Sequence, residues 1–171
     1  KMLLVMTILT GVLYPVLITI IAQFVFPNKS NGSMIERNGN IVGSELIAQK
    51  FQSDRYFWSR PSAIDCNPLP SGASNLGPTS DTLRKLVVRR KKDFIMKNHL
   101  SPDTVVPTEM LFASGSGIDP HVSPEAALMQ VDRIAQTRGF DDRKKTALMK
   151  LVRNHIEEPQ FGIFGEPRVN V

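Results

Sequence analysis

The sequence predicts an α+β protein: one N-terminal transmembrane helix over residues 2–26, followed by a single mixed α/β domain over residues 27–171. Three observations predict it. Residues 2–26 hold 19 apolar side chains out of 25 and no charge. Three later stretches carry helix-start grammar ahead of apolar residues spaced three and four apart. Short extended segments flank turn signals near residue 38 and at the C-terminus.

The run Met2–Phe26 reads MLLVMTILTGVLYPVLITIIAQFVF. As a helix it is about 37 Å long at 1.5 Å per residue, enough for about 30 Å of hydrocarbon with some tilt. A cleaved signal peptide has a shorter apolar stretch, about 7–15 residues. Pro15 has no N–H to offer the Gly11 carbonyl, so a kink is expected there. Thr7 and Gly11 form a small-xxx-small pair that lets a partner helix approach closely. Thr7, Gly11 and Pro15 are therefore candidate partner-binding residues. Lys1, Lys29 and Arg37 are too few to set orientation by the positive-inside rule. The chain begins with Lys1, so a short preceding piece is expected.

Next, Met34–Val42 reads as a hairpin around Asn38-Gly39, a type I′ turn signal. Ser44 is placed to cap a short helix carrying Leu46, Ile47 and Phe51. The cluster Tyr56-Phe57-Trp58 reads as a buried strand. Residues 59–80 are rich in Pro, Gly and Ser and read as a long loop, the kind that is functional or pinned to a partner. A helix is expected from Ser80 or Asp81, with Leu83, Leu86, Val87 and Phe94 on one face. Its other face carries seven cations: Arg84, Lys85, Arg89, Arg90, Lys91, Lys92 and Lys97. The plain reading of that face is solvation, and the sharper one is anionic lipid or nucleic acid. No nucleic-acid module motif accompanies it, so no nucleic-acid partner is expected.

A compact Gly/Ser loop runs from Ser114 to His121. Ser123-Pro124-Glu125 then opens a helix with Ser at the N-cap, Pro at the first position and an acid in the first turn. Leu128, Val131, Ile134 and Ala135 form its buried stripe, and Gly139 ends it. Asp141-Asp142 begins another helix with Leu148, Leu151 and Val152 inward. Residues 161–171 read as terminal strands around Gly165-Glu166-Pro167.

The composition excludes several function classes. One Cys, Cys66, permits neither a disulfide framework nor a Cys-rich zinc site. The three His residues have no companion at metal-ligand spacing, so no metal is expected. No Walker A run occurs. Gly115-Ser116-Gly117 offers backbone N–H groups to an anion, against the plainer reading of a tight turn packed on a neighbour. A membrane-anchored serine hydrolase would use Ser114 or Ser116 with His121 as base and Asp119 as orienter, but the G-x-S-x-G elbow is absent. An anchored binding module for anionic partners, using the basic helix face, is the other alternative.

Several stretches together resemble one family, the C subunit of the Kdp potassium-transporting ATPase of bacteria and archaea. They are Thr10-Gly11, Tyr14-Pro15, Gln23 and Phe26-Pro27 in the helix; Asn31-Gly32-Ser33; Gly43-Ser44 with Gln49 and Phe51; Tyr56 to Ser62; Ser71 to Gly77; Ala113 to Ala127 with its SGID-P-H-V-S-P-E-A-A run; and Gly165 to Asn170. The family usually continues past the point where Val171 ends this chain, so a trimmed C-terminus is expected. The resemblance implies an accessory, non-catalytic subunit, single-pass in the bacterial or archaeal cytoplasmic membrane, with its domain on the extracytoplasmic side. Its implied partners are a channel-like potassium-binding subunit, a P-type ATPase subunit and a small peptide subunit. It also implies a role in assembly and as a catalytic chaperone that raises ATP affinity. No cofactor is expected on this chain, because ATP acts on the partner subunit. Gln130, in a Q-x-x-R-I/V-A pattern, is the candidate if nucleotide contact is direct; the plainer reading is a helix residue bonding a neighbouring loop. The candidate docking residues are Arg60, Ser62, Ser71, Asn75, Gly117, Asp119 and His121, on loops expected to pack on the channel-like subunit. A charge-gathering role over a potassium entrance is disfavoured, since leaving Lys1 out of the 21 basic side chains gives the outer part 20 against 16 acidic ones.

Overall fold

A 24-residue apolar stretch satisfies its backbone polar groups most simply as a helix, and helix α1 spans Met2–Val25 in the computed structural model, which describes residues 1–171. The chain forms two compact units, Lys1–Leu46 and Ile47–Val171. In the first, no residue of α1 is buried. The expected disturbance at Pro15 takes the form of a π-helical stretch over Leu9–Leu13, directly ahead of the proline. Thr10 and Thr19 turn their hydroxyls back onto Met6 and Pro15 carbonyls at 2.8 and 2.7 Å, which satisfies both hydroxyls within the helix.

A short helix α2, Pro27–Ser30, follows. Strands β1, Met34–Arg37, and β2, Asn40–Ser44, then pair antiparallel. Asn38 and Gly39 have φ of 53° and 76°, the two left-handed residues that a type I′ turn requires. Ser44 corrects the expected cap. It ends β2, accepts a hydrogen bond from Leu46 N–H and donates to the Gly32 carbonyl at 2.6 Å, and residues 45–51 form no helix.

The second unit packs helices on a small sheet. Helix α3 spans Asp81–Lys97 and is capped by Ser80, whose hydroxyl accepts from Leu83 N–H. Helices α4, Pro124–Met129, and α5, Val131–Arg138, replace the one helix expected after Ser123, because the chain is interrupted at Gln130. Ser123 caps α4 and Gly139, at φ 65°, closes α5. Helix α6, Asp142–Asn154, is capped by Asp141. Its inward face is Leu148 and Val152; Leu151, expected inside, is 52% exposed.

Strands β3, His121–Val122, β4, Ile156–Glu157, and β5, Arg168–Asn170, form an antiparallel sheet in the order β3-β5-β4. The terminal strand pair is thus fed by two segments that carry no strand signal of their own. Phe94, Val106, Met110, Val122, Val131, Val152 and Val169 make the core between sheet and helices. Tyr56-Phe57-Trp58 is not a strand but part of an irregular segment, with Tyr56 exposed. Its order comes from side-chain bonds to α5 instead of from a ladder.

Candidate functional site

The interruption at Gln130 has a chemical purpose. Gln130 is fully buried. Its Oε1 accepts from the Trp58 backbone N–H at 2.8 Å, and its Nε2 donates to the Trp58 and Ala126 carbonyls at 3.2 Å each. One amide side chain therefore supplies the two backbone bonds that Trp58 would have found in a strand. Arg133, three residues on and equally buried, donates Nη2 to Gln130 Oε1 at 2.8 Å. Its Nε donates to Asn98 Oδ1 at 2.9 Å and its Nη1 to the Asp54 carbonyl at 2.6 Å. The guanidinium also lies 3.7 Å over the Trp58 ring. Burial pushes the Arg133 pKa down to about 10, opposed by the charge of Asp54. Sequence reading named Gln130 but missed Arg133, Asn98 and Trp58 as one network. The i,i+3 spacing of Gln130 and Arg133 was the available signal.

A second group surrounds Asp119. Arg60 Nη1 donates to its Oδ2 at 2.9 Å. The His121 backbone N–H donates to Oδ1 at 3.0 Å, and the His121 ring Nδ1 lies 3.1 Å from the same oxygen. Burial by itself would raise the Asp119 pKa; the His121 and Arg60 hydrogen bonds and the Arg60 charge outweigh it and hold the carboxyl below the usual range. Residues 60, 119 and 121, named separately as docking candidates, thus come together in one group. All three line a cleft of about 930 Å³.

The remaining loop residues shape and pin the two segments. Ser62 accepts from Ile64 and Cys66 N–H groups and closes a turn. Gly72, beside Ser71, donates its N–H to the Ser116 carbonyl at 3.0 Å. Gly117 is buried at φ 74°, where an added Cβ would lie 2.6 Å from the Gly72 oxygen. The Gly/Ser loop is therefore a tight turn packed on its neighbour. Asn75 holds a left-handed φ of 51° and is exposed.

No relay forms for a serine nucleophile. Ser114 is 2% exposed, the Ser116 hydroxyl accepts from Ile118 N–H, and no hydrogen bond joins either to His121. No group of three His, Cys, Asp or Glu side chains is placed to hold a metal ion. The basic face of α3 keeps most of its cations in solvent, but Arg90 turns inward and donates to the Leu111 carbonyl at 2.8 Å. Burial and neighbouring Arg89 lower its pKa. On α1, Gly11 has open space where a Cβ would stand, and Thr7 and Pro15 lie on an uncovered helix.

Comparison with known proteins places these features in one context. The family model described as "K+-transporting ATPase, c chain" matches residues 1–171. A "Potassium-transporting ATPase KdpC subunit" of Leptospira interrogans is 46% identical over 171 residues, covering 100% of this chain and 86% of that one. Proteins of the same description from Geobacter metallireducens and Methylococcus capsulatus are 47% and 45% identical over 174 residues, each covering 99% of this chain and 89% of the relative.

Proposed function

Since the chain belongs to the KdpC family of K+-transporting ATPase c chains, we propose that it is a non-catalytic subunit that holds that complex together by packing. The observation that carries this reading is α1, a predominantly apolar helix of 24 residues with none buried inside the chain. Such a helix is long enough to cross a bilayer, and its Thr7–Gly11 notch admits a second helix at close range. The pinned loops carrying Arg60, Ser62, Ser71, Asn75, Gly117, Asp119 and His121 dock on the channel-like potassium-binding subunit. The P-type ATPase subunit and the small peptide subunit complete the assembly. Gly11→Leu fills the notch and lowers the yield of intact complex in detergent about tenfold. Pro15→Ala is milder. An unchanged yield for Gly11→Leu would refute a packed partner helix.

We place residues 27–171 outside the cytoplasm. The chaperone effect on ATP affinity then acts indirectly, through α1 or the assembled state. Support comes from Gln130: its amide is engaged on both atoms and is fully buried, leaving nothing to offer a nucleotide. Protease added to intact spheroplasts digests the domain over residues 27–171 on this reading. Protection until lysis would overturn both the side and the indirect route.

A further inference from the structure

Between β4 and β5 the chain shows three large apolar side chains to solvent: Phe161 is 83% exposed, Ile163 77% and Phe164 66%. The segment is not a loose tail. Gln160 and Phe164 exchange both backbone hydrogen bonds, at 2.9 and 3.0 Å. Gly162 N–H donates to the Pro159 carbonyl and Ile163 N–H to that of Gln160, at 2.8 and 3.2 Å. Phe161 sits at φ 57°, a left-handed conformation that an aromatic residue enters at a cost of roughly 1 kcal/mol and that Asn or Gly occupies readily. An aromatic residue at an exposed position that disfavours it, inside a closed turn, marks a surface kept for contact.

Residues 159, 160 and 164–167 of the turn also line the 930 Å³ cleft, together with Arg60, Asp119 and His121. Phe164 and Phe112 give the cleft apolar surface, and its lining carboxylates include Glu158 and Glu166. The guanidiniums nearby are committed, Arg60 to Asp119 and Arg168 to Glu157 at 2.9 Å each. Glu158 and Glu166 carry no ion pair. The uncompensated charge beside the apolar tip is therefore negative. A tip that entered an anionic bilayer would have unpaired Lys or Arg beside its aromatics, whereas Arg168 is paired with Glu157 and the unpaired charges flanking this one are Glu158 and Glu166.

We propose that the Pro159–Pro167 turn and its cleft receive a partner subunit of the ATPase, through a segment presenting apolar side chains to Phe161, Ile163 and Phe164 and a basic side chain to Glu158 and Glu166. The proposal rests on the docking reading above and adds to it the 159–167 turn, which lies outside the loops at 59–80 and 114–123 but shares the lining of the cleft with them. Apolar side chains at the centre exclude water, and the carboxylates steer and select a cationic partner at the rim.

The test uses the intact detergent-solubilised complex with a photoreactive benzoylphenylalanine at position 161 or 163. Adducts to another subunit at both positions are expected. Adducts only to lipid, only to a second copy of this chain, or none while the chain remains in the complex would overturn the proposal and leave the docking reading standing. Absence of the unmodified chain from the complex would overturn both. In a second arm, Glu158→Lys with Glu166→Lys lowers the fraction of chain retained after a salt wash about tenfold, and Glu→Gln at both sites lowers it less. Phe161→Asn, which suits the left-handed backbone, keeps the thermal midpoint while lowering retention. Unchanged retention in the Lys pair or in Phe161→Asn counts against the surface.

Discussion

Gly117→Ala lowers the thermal midpoint of the full-length chain in detergent by about 10 °C, which corresponds to roughly 3 kcal/mol. Two costs combine. The new Cβ would stand 2.6 Å from the Gly72 carbonyl oxygen and 2.5 Å from Ile64 Cγ1, and backbone cannot swing aside as a flexible side chain does. The residue would also have to hold φ at 74°, a region L side chains rarely adopt. Relief requires the 71–77 segment to separate from the 114–118 turn, breaking the Gly72–Ser116 backbone bond. A calorimetric midpoint within 2 °C of the parent would mean that the two loops are not packed as described.

Arg133→Ala is expected to cost a similar amount, about 3 kcal/mol, by a different route. The side chain is 1% exposed, and its removal strips partners from Asn98 Oδ1 and the Asp54 carbonyl and leaves a void under the Trp58 ring. Arg133→Met separates the contributions. It keeps much of the volume and sheds a buried charge that no carboxylate hydrogen-bonds, so it falls between parent and Ala. Denaturant melts of the three proteins rank them. A Met variant as stable as the parent would show that the guanidinium bonds add nothing net.

The elements legible in the sequence are those whose cause is local. Asn38-Gly39 specifies its turn, Ser80, Ser123-Pro124 and Asp141 specify helix starts, and the apolar run specifies α1, because each needs only neighbours a few residues away. Tyr56-Phe57-Trp58 misleads because its strand propensity is overridden by Gln130, 72 residues distant, which bonds both polar groups of the Trp58 backbone. Ser44 misleads because it is the last residue of β2, paired with Met34, and its oxygen accepts from Leu46 N–H in a turn that no helix follows. Strand β3 is two residues long and exists only because β5 lies beside it. In the candidate site, the Arg60–Asp119 pair spans 59 residues; both members were named for docking, but their bond to each other was not readable from spacing. The Phe161–Phe164 turn read as strand because strand propensity does not register that its side chains are left in solvent.

The layering of Lys97, at 5.1 Å, and Arg133, at 3.7 Å, on the Trp58 ring has an optical consequence. Trp58 is the chain's one tryptophan, so intrinsic emission excited at the indole band originates at a single, known address. That address joins the irregular 53–59 segment, α3 and α5. Loosening of any of the three moves a cation relative to the indole and alters the emission colour or yield. The subunit thus carries its own spectroscopic gauge, needing no attached dye, for whether assembly with partners that lack or mask tryptophan signal reshapes this junction.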